Sequence, residues 1–271
     1  MSANLRRWFL KPLPKTMKIC RFAHNGEIKF GVPKGDSIYF LNHLNDFAQG
    51  IDSVTLNESI SMSDVNFLPP VVPSKIVCVG RNYAEHAAEL GNEVPKEPLL
   101  FLKAPSALIT NYEAIVIPEQ SQQIEHEGEL AVIIGRKCKN LNSADNPFDY
   151  VFGYTCLNDV TARDLQRQDI QFARAKSFDT FCPLGAFIET ELHVGDVRVI
   201  TRVNGVIKQD GRTSQMVFPV DFLIRYISNQ MTLNAGDIIA TGTPSGVSKL
   251  NKGDVCEVEI EGVGILRNPV E

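Results

Sequence analysis

Nowhere in these 271 residues does an apolar run approach the ~20 consecutive residues that a membrane-spanning helix requires. Nor is there an excess of basic residues. The 27 Lys and Arg against 32 Asp and Glu leave a formal net charge of −5, with no local Lys/Arg cluster to offset it. Polyanions are held largely by cations that release their counterions, so a nucleic-acid partner is not expected. The six cysteines are scattered at 20, 78, 138, 156, 182 and 256, with no C-x-x-C pair. Most lie in apolar runs such as KIVCVG and YTCLND. They are expected to be small buried hydrophobes in a reducing compartment, not a disulfide frame or a zinc site. G-x-x-x-x-G-K-[ST] and G-x-G-x-x-G are both absent, which argues against a phosphate-binding role for TGTPSGV (241–247). The missing G-x-S-x-G elbow argues against a serine hydrolase built on Ser245. Internal repeats and low-complexity tracts are absent too.

What is present divides the chain into three parts. Residues 1–16, MSANLRRWFLKPLPKT, are basic and acid-free, but their apolar portion is only WFL and two prolines interrupt it. That is too short for a signal-peptide core, so a disordered or surface-draped extension of a cytoplasmic protein is expected. Residues 17–70 carry short alternating segments, MKICRF, EIKFGVP and SIYFLN, parted by HNG and PKGD turns, and are expected to form a small N-terminal domain. The stiff joint FLPPVVPSK (67–75) leads into the larger unit, 71–271. There IVCVG reads as a buried strand and RNYAEHAAELG as a short helix closed by Gly91. ALITN, AIVIP, GELAVIIG, VFGYTCLND, LGAFIET, VRVITRVNG, DIIATGTP and DVCEVEIEG read as strands, with NGVIK and AGDIIATG at hairpins or turns. Helices are expected over TARDLQRQDIQFARA, after a Thr161 cap, and over PVDFLIRYISNQ, opening at Pro219. The fold class is therefore β-rich α+β: a mostly antiparallel, folded-over β structure with a few surface helices.

One stretch asks for a chemical reason. IEHEGELAVII (124–134) sets Glu125, Glu127 and Glu129 on alternate positions just ahead of an apolar run. Alternate strand residues share a face with Cα atoms roughly 7 Å apart. Like charges at that range repel unless a cation sits between them. A charged sheet edge is the ordinary explanation, but LAVII carries this strand directly into a core, where solvated acids are out of place. A third acid, Asp159, ends the apolar run VFGYTCLND. Three carboxylates suit a hard ion, Mg²⁺ or Mn²⁺ and occasionally Ca²⁺, better than zinc.

GRNYAEHAAELG, HEGELAVIIG, GYTCLNDVTARDLQ, RAKSFDTFCPLGAFI and IIATGTPSGV follow one another in this order. Together they resemble the fumarylacetoacetate hydrolase superfamily, in particular its smaller metal-dependent members acting on 2-oxo acids. The likeness runs from about Ile76 to the C-terminus. It implies a catalytic domain rolled into a mixed β-sandwich or barrel, usually a homodimer, often preceded by a small N-terminal domain. It assigns metal binding to Glu127, Glu129 and Asp159, and leaves Glu125 as a neighbouring acid outside the ligand set. It makes His86 and Glu89, at i and i+3, a proton-handling pair on a lid segment, where spacing alone would allow a surface His with a salt-bridge neighbour. It makes Arg163 and Gln166 substrate contacts and Lys176 a catalytic cation beside the metal, while the tight turn of TGTPSGV is expected to offer Thr243 to the substrate through hydroxyl or backbone N–H. Tyr83 stays unassigned between core and substrate wall.

A small 2-oxo acid would offer such an ion a carboxylate and a keto oxygen. The ion would then take up charge as the C3–C4 bond breaks or a C3 proton leaves. The expected activity is C–C bond hydrolysis of acylpyruvates or related 2-oxo acids, oxaloacetate decarboxylation included. The alternative is an isomerase or tautomerase of the 2-hydroxyhepta-2,4-diene-1,7-dioate or oxaloacetate type. A non-catalytic carboxylate-binding protein with a structural ion is the reading outside enzymology.

Overall fold

The computed structural model describes residues 17–41 and 58–271. The expected extension 1–16 and residues 42–57 of the small N-terminal unit lie outside them. Strands dominate among the described residues, with four short α-helices and several single 3-10 turns. None of the described helices is long and apolar enough to cross a membrane.

A large mixed sheet is the frame. Its central strand, Gly128–Ile134, is buried along its whole length, which explains the unbroken apolar run that follows the acids. On one side it pairs antiparallel with Val151–Asn158, on the other with Ile238–Ala240. The latter pairs parallel with Ile76–Gly80, and Leu99–Lys103 closes that edge. In the opposite direction Phe187–Glu189 joins Val151–Asn158 to Lys18–His24, so the strands of the N-terminal unit continue the same sheet. A second, four-stranded antiparallel sheet is built from Arg198–Val203, Val206–Arg212, Val255–Ile260 and Gly264–Pro269.

Strand alternation sends the two sides of Gly128–Ile134 into different cores. Leu130, Val132 and Ile134 pack with Val199, Val258 and Ile260 of the second sheet and with Leu223, Ile224 and Ile227 of the helix Val220–Gln230. Ala131 and Ile133 face a core that contains Cys78, Leu157, Phe181 and Leu184. Each fully buried aliphatic contributes roughly 1.5–3 kcal/mol relative to exposure, so both cores hold this strand in register. All six cysteines are buried and unpaired, in line with their apolar surroundings in sequence.

Local chemistry explains the connections. Asn25-Gly26 and Asn204-Gly205 both have positive φ, the requirement of two-residue hairpin turns. Gly91, at φ +69°, follows the helix Ala84–Glu89 and its N–H returns to the Ala88 carbonyl. Three expectations need correction. The stretch from Thr161 is not one helix but two, Arg163–Gln168 and Ala173–Lys176. Thr161 does not cap, because it pairs with Glu125 in a two-residue ladder and its hydroxyl donates to the Asp159 carbonyl. AIVIP contributes only an isolated bridge, Ile115 to Val270, while LLFLK, whose alternation is hidden by successive apolar residues, supplies the edge strand.

Candidate active site

Pairing in the large sheet brings the three acids together. Glu127 and Glu129 share the parity of Ala131 and Ile133, so both face the same core. Gly128 points the other way, where a Cβ would lie 2.0 Å from Thr201 Oγ1. A side chain between the two acids would push the sheets apart. On the neighbouring strand Asn158 stands opposite Gly128 and accepts from the Glu127 N–H, 2.9 Å. The Asp159 N–H then donates to the Glu127 carbonyl, 2.8 Å, which delivers the third carboxylate beside the first two. Glu127, Glu129 and Asp159 each offer an oxygen within 4.8 Å of the others, and all are buried.

Three basic side chains surround this cluster. Lys176 Nζ donates to Glu127 Oε2 and Asp159 Oδ2, both at 2.7 Å. Lys103, which the sequence reading did not single out, is fully buried and donates to Asp159 Oδ1 at 2.6 Å and to the Val160 carbonyl. Arg163 donates through Nε to Glu125 Oε2 (2.7 Å), through Nη2 to Glu127 Oε1 (2.5 Å) and through Nη1 to Gln166 Oε1 (2.5 Å). Glu125 is thus a buried partner of Arg163, outside the trio. Glu129 alone of these four acids has no basic side chain bonded to it among the described residues; its Oε2 accepts the Gly242 N–H at 2.7 Å.

The electrostatics follow from that inequality. Burial works against the ionised form of Glu127, but the Lys176 ammonium and the Arg163 guanidinium outweigh it and hold the carboxyl far below the usual range. Burial, then the charges of Asp159 and Glu127, drive Glu129 well upward. Burial opposes the charge on Lys176, yet Asp159 and Glu127 keep it raised. Two ionised carboxylates within 4.8 Å repel by at least about 3 kcal/mol at an effective dielectric of about 20, so ionising Glu129 favours a further cation among them. An all-oxygen donor set with one acid lacking a basic partner fits a hard divalent ion.

A cleft of about 380 Å³ opens onto this cluster. All nine residues singled out in sequence line it: His86, Glu89, Glu127, Glu129, Asp159, Arg163, Gln166, Lys176 and Thr243. Arg81, Phe101, Arg167 and Phe172 share the wall. His86 is buried, and its Nδ1 lies 3.3 Å from Glu89 Oε2. A carboxylate can only accept, so Nδ1 is the donor in this contact, and in the neutral ring Nε2 is then the acceptor.

The loop at 241–247 holds the site together through its backbone and the Thr243 hydroxyl. Its Gly246 N–H donates to both Glu89 oxygens at 3.0 and 3.1 Å, so it ties the His86–Glu89 helix down, while Gly242 N–H holds Glu129. Gly242 has φ +100° and lies so close to Asn82 that a Cβ would meet it at 2.7 Å. The Thr243 hydroxyl donates to the Gly128 carbonyl and accepts from Gln209 Nε2, 2.8 and 2.7 Å. Only its backbone N–H remains for a ligand. Ser245 is bonded to Glu85 at 3.3 Å and is not part of the cleft wall. Tyr83 is buried, lies off that wall, and its hydroxyl has no partner among the described residues.

Gln209 binds the back of the site together. It accepts from the Gly128 N–H, donates to Thr243 and to the Pro244 carbonyl, and meets His126 Nδ1 at 3.1 Å. His126 is fully buried, with Nε2 against Ser248 Oγ at 2.8 Å. Burial, only partly offset by the Gln209 bond, lowers its pKa to about 4. A histidine depressed in the fold stabilises above its unfolded pKa and loses that contribution as pH falls toward the folded value. Between pH 7 and pH 5 the expected loss is about 2 kcal/mol, read by denaturant unfolding at the two pH values. The same pair of measurements on His126→Gln should show most of that difference gone; an undiminished loss would mean other groups carry it.

Residues 75–271 match the family described as "Fumarylacetoacetate (FAA) hydrolase C-terminal", and residues 17–70 match "Rv2993c-like, N-terminal". The human mitochondrial oxaloacetate tautomerase FAHD2A is 44% identical over 221 residues, covering 77% of this chain and 70% of that protein. The crystal structure of 5-carboxymethyl-2-hydroxymuconate delta-isomerase from Mycobacterium smegmatis superposes with a TM-score of 0.85 at 40% identity, covering 94% of this chain and 99% of that one. A fumarylacetoacetate hydrolase from Exiguobacterium antarcticum superposes with a TM-score of 0.84, also at 40% identity, with coverage of 94% and 99%.

Proposed function

Because the chain belongs to the fumarylacetoacetate hydrolase family, we propose that it is a divalent-metal-dependent enzyme that moves the C3 proton of a 2-oxo dicarboxylic acid, an oxaloacetate-type tautomerase or isomerase. The observation that carries this reading is the content of the cleft. Among the described residues it joins the acidic trio to one His–Glu pair, and no serine or cysteine lines it. Thr243, the one hydroxyl that the described residues place on its wall, is engaged by its own chain. Such a site favours proton transfer over covalent catalysis by a side-chain nucleophile. The named activities of the human and mycobacterial relatives, a tautomerase and an isomerase, support the same class.

Mg²⁺ or Mn²⁺, held by Glu127, Glu129 and Asp159, would supply a Lewis acid for negative charge on substrate oxygen. The chain's own groups do the rest. His86 Nε2 accepts the C3 proton, Glu89 stabilises the imidazolium and fixes its orientation, and the imidazolium returns the proton to the enolate oxygen to give the enol. Lys176 keeps one N–H beyond its two carboxylate bonds and offers it to the enol oxygen. Arg163 holds Glu127 and Gln166 in place, and retains one N–H on each Nη for a carboxylate.

C–C bond hydrolysis, the expectation from sequence, is the second reading. His86 Nε2 would then activate water, a use favoured by its position on the wall of an open cleft and by the name of the Exiguobacterium relative. Proton NMR in D₂O separates the two. Oxaloacetate with Mg²⁺ or Mn²⁺ should reach its keto–enol equilibrium and exchange C3 protons faster with enzyme than without, while acetylpyruvate yields no acetate. Acetate release without accelerated enolisation would replace this reading with hydrolysis.

A further inference from the structure

We infer that Arg81 reads the distal carboxylate of a dicarboxylic substrate and so sets the enzyme's preference for diacids over monoacids. The assignment rests on the enolising reading above and starts from an inequality among the cleft's cations. Arg163 has all three nitrogens engaged, Lys176 has two carboxylate bonds, and Arg167 donates to Gln123 at 3.1 Å. Arg81 lines the same cleft, yet no hydrogen bond or ion pair ties its guanidinium to any described residue.

Its backbone adds a second argument. Arg81 follows directly on the strand Ile76–Gly80 and has φ +57°, the left-handed region that glycine adopts freely and a residue with a Cβ enters at a cost of about 1–2 kcal/mol. A strained non-glycine residue whose side chain makes no structural bond points to a use for that side chain. The ligand chemistry is decided by the groups on the wall. The acids and Lys176 are buried and suit the 2-oxo carboxylate end of a substrate. Arg81, half-buried on the same wall, offers a forked guanidinium that matches a second carboxylate. The volume, about 380 Å³, corresponds to roughly a dozen waters at about 30 Å³ each, ample for a small diacid.

The test compares kcat/KM for C3 deuterium exchange of oxaloacetate with that of 2-oxobutanoate, which lacks the second carboxylate, in wild type, Arg81→Gly and Arg81→Gln. The glycine variant relieves the backbone, so its Tm should equal or exceed that of wild type. The glutamine variant removes the charge while leaving a side chain. The oxaloacetate-to-2-oxobutanoate ratio should fall about 10- to 100-fold in both, mostly through KM for oxaloacetate, as expected for a lost charge-assisted bond. A purely structural role would lower both substrates alike, and an unchanged ratio in either variant overturns the assignment. Wild-type protein that exchanges neither acid would instead overturn the enolising reading, and Arg81's role with it.

Discussion

Replacing Glu129 with Gln should weaken Mn²⁺ binding by about two orders of magnitude or more without weakening the folded protein. Glu129 is the acid with no basic side chain bonded to it, and burial with its acidic neighbours already disfavours its charge. Glutamine keeps an oxygen for the Gly242 N–H and removes one like charge from the cluster. Stability without metal should therefore stay level or rise by about 1 kcal/mol. Mn²⁺ affinity, measured by calorimetry, should fall on the order of 100-fold or more, since even outer partners of metal ligands carry about 10–100-fold. Turnover should fall by at least about 10²–10³-fold. Asp159→Asn makes the contrasting case: it leaves Lys103 and Lys176 buried beside a neutral group, an imbalance of the kind that costs about 3–5 kcal/mol. A Tm that rises with Mn²⁺ in Glu129→Gln as it does in wild type would remove Glu129 from the ligand set. Turnover that is metal-dependent and lost in these variants would also separate an enzyme from a carboxylate-binding protein with a structural ion.

His86→Ala should leave the Mn²⁺-dependent Tm shift intact and reduce turnover by about 10²–10⁴-fold, the usual contribution of a positioned general base. The imidazole touches none of the three metal-site carboxylates by hydrogen bond; its partner is Glu89. Loss of activity with retained metal binding is therefore the signature of proton handling, and unchanged turnover would refute that role. Glu89→Gln tests the pair further. It removes the charge that steadies the imidazolium and weakens the Gly246 contacts, so its loss should fall short of that in His86→Ala.

The acidic strand illustrates how far one-dimensional information reaches. E-x-E ahead of LAVII required Glu127 and Glu129 to share a face, because side-chain direction along a strand is a local property with period two. The same locality made the hairpin at Asn204-Gly205 and the end of the short helix at Gly91 legible. Where helix and strand compete for the same residues, locality failed. Thr161 and Ala162 were drawn into a ladder with Ile124 and Glu125, and the expected single helix broke in two. Lys103 carried no legible signal: it ends an apolar run, and only the opposing strand reveals that its ammonium reaches Asp159, 56 residues away.

By itself, then, the sequence determined the β-rich class, the common face of Glu127 and Glu129, the candidates His86 and Glu89 one helical turn apart, and, through the resemblance of its motifs, the family. Tertiary structure alone decided which charges neutralise one another. Asp159 meets Glu127 because two antiparallel strands are in register. Lys103, Lys176 and Arg163 satisfy three of the four acids, and Glu129 and Arg81 are left without a bonded ion-pair partner among the described residues. The division has one cause: backbone periodicity acts over a few residues and is written in their order, whereas Coulomb interactions depend on distances that only packing sets.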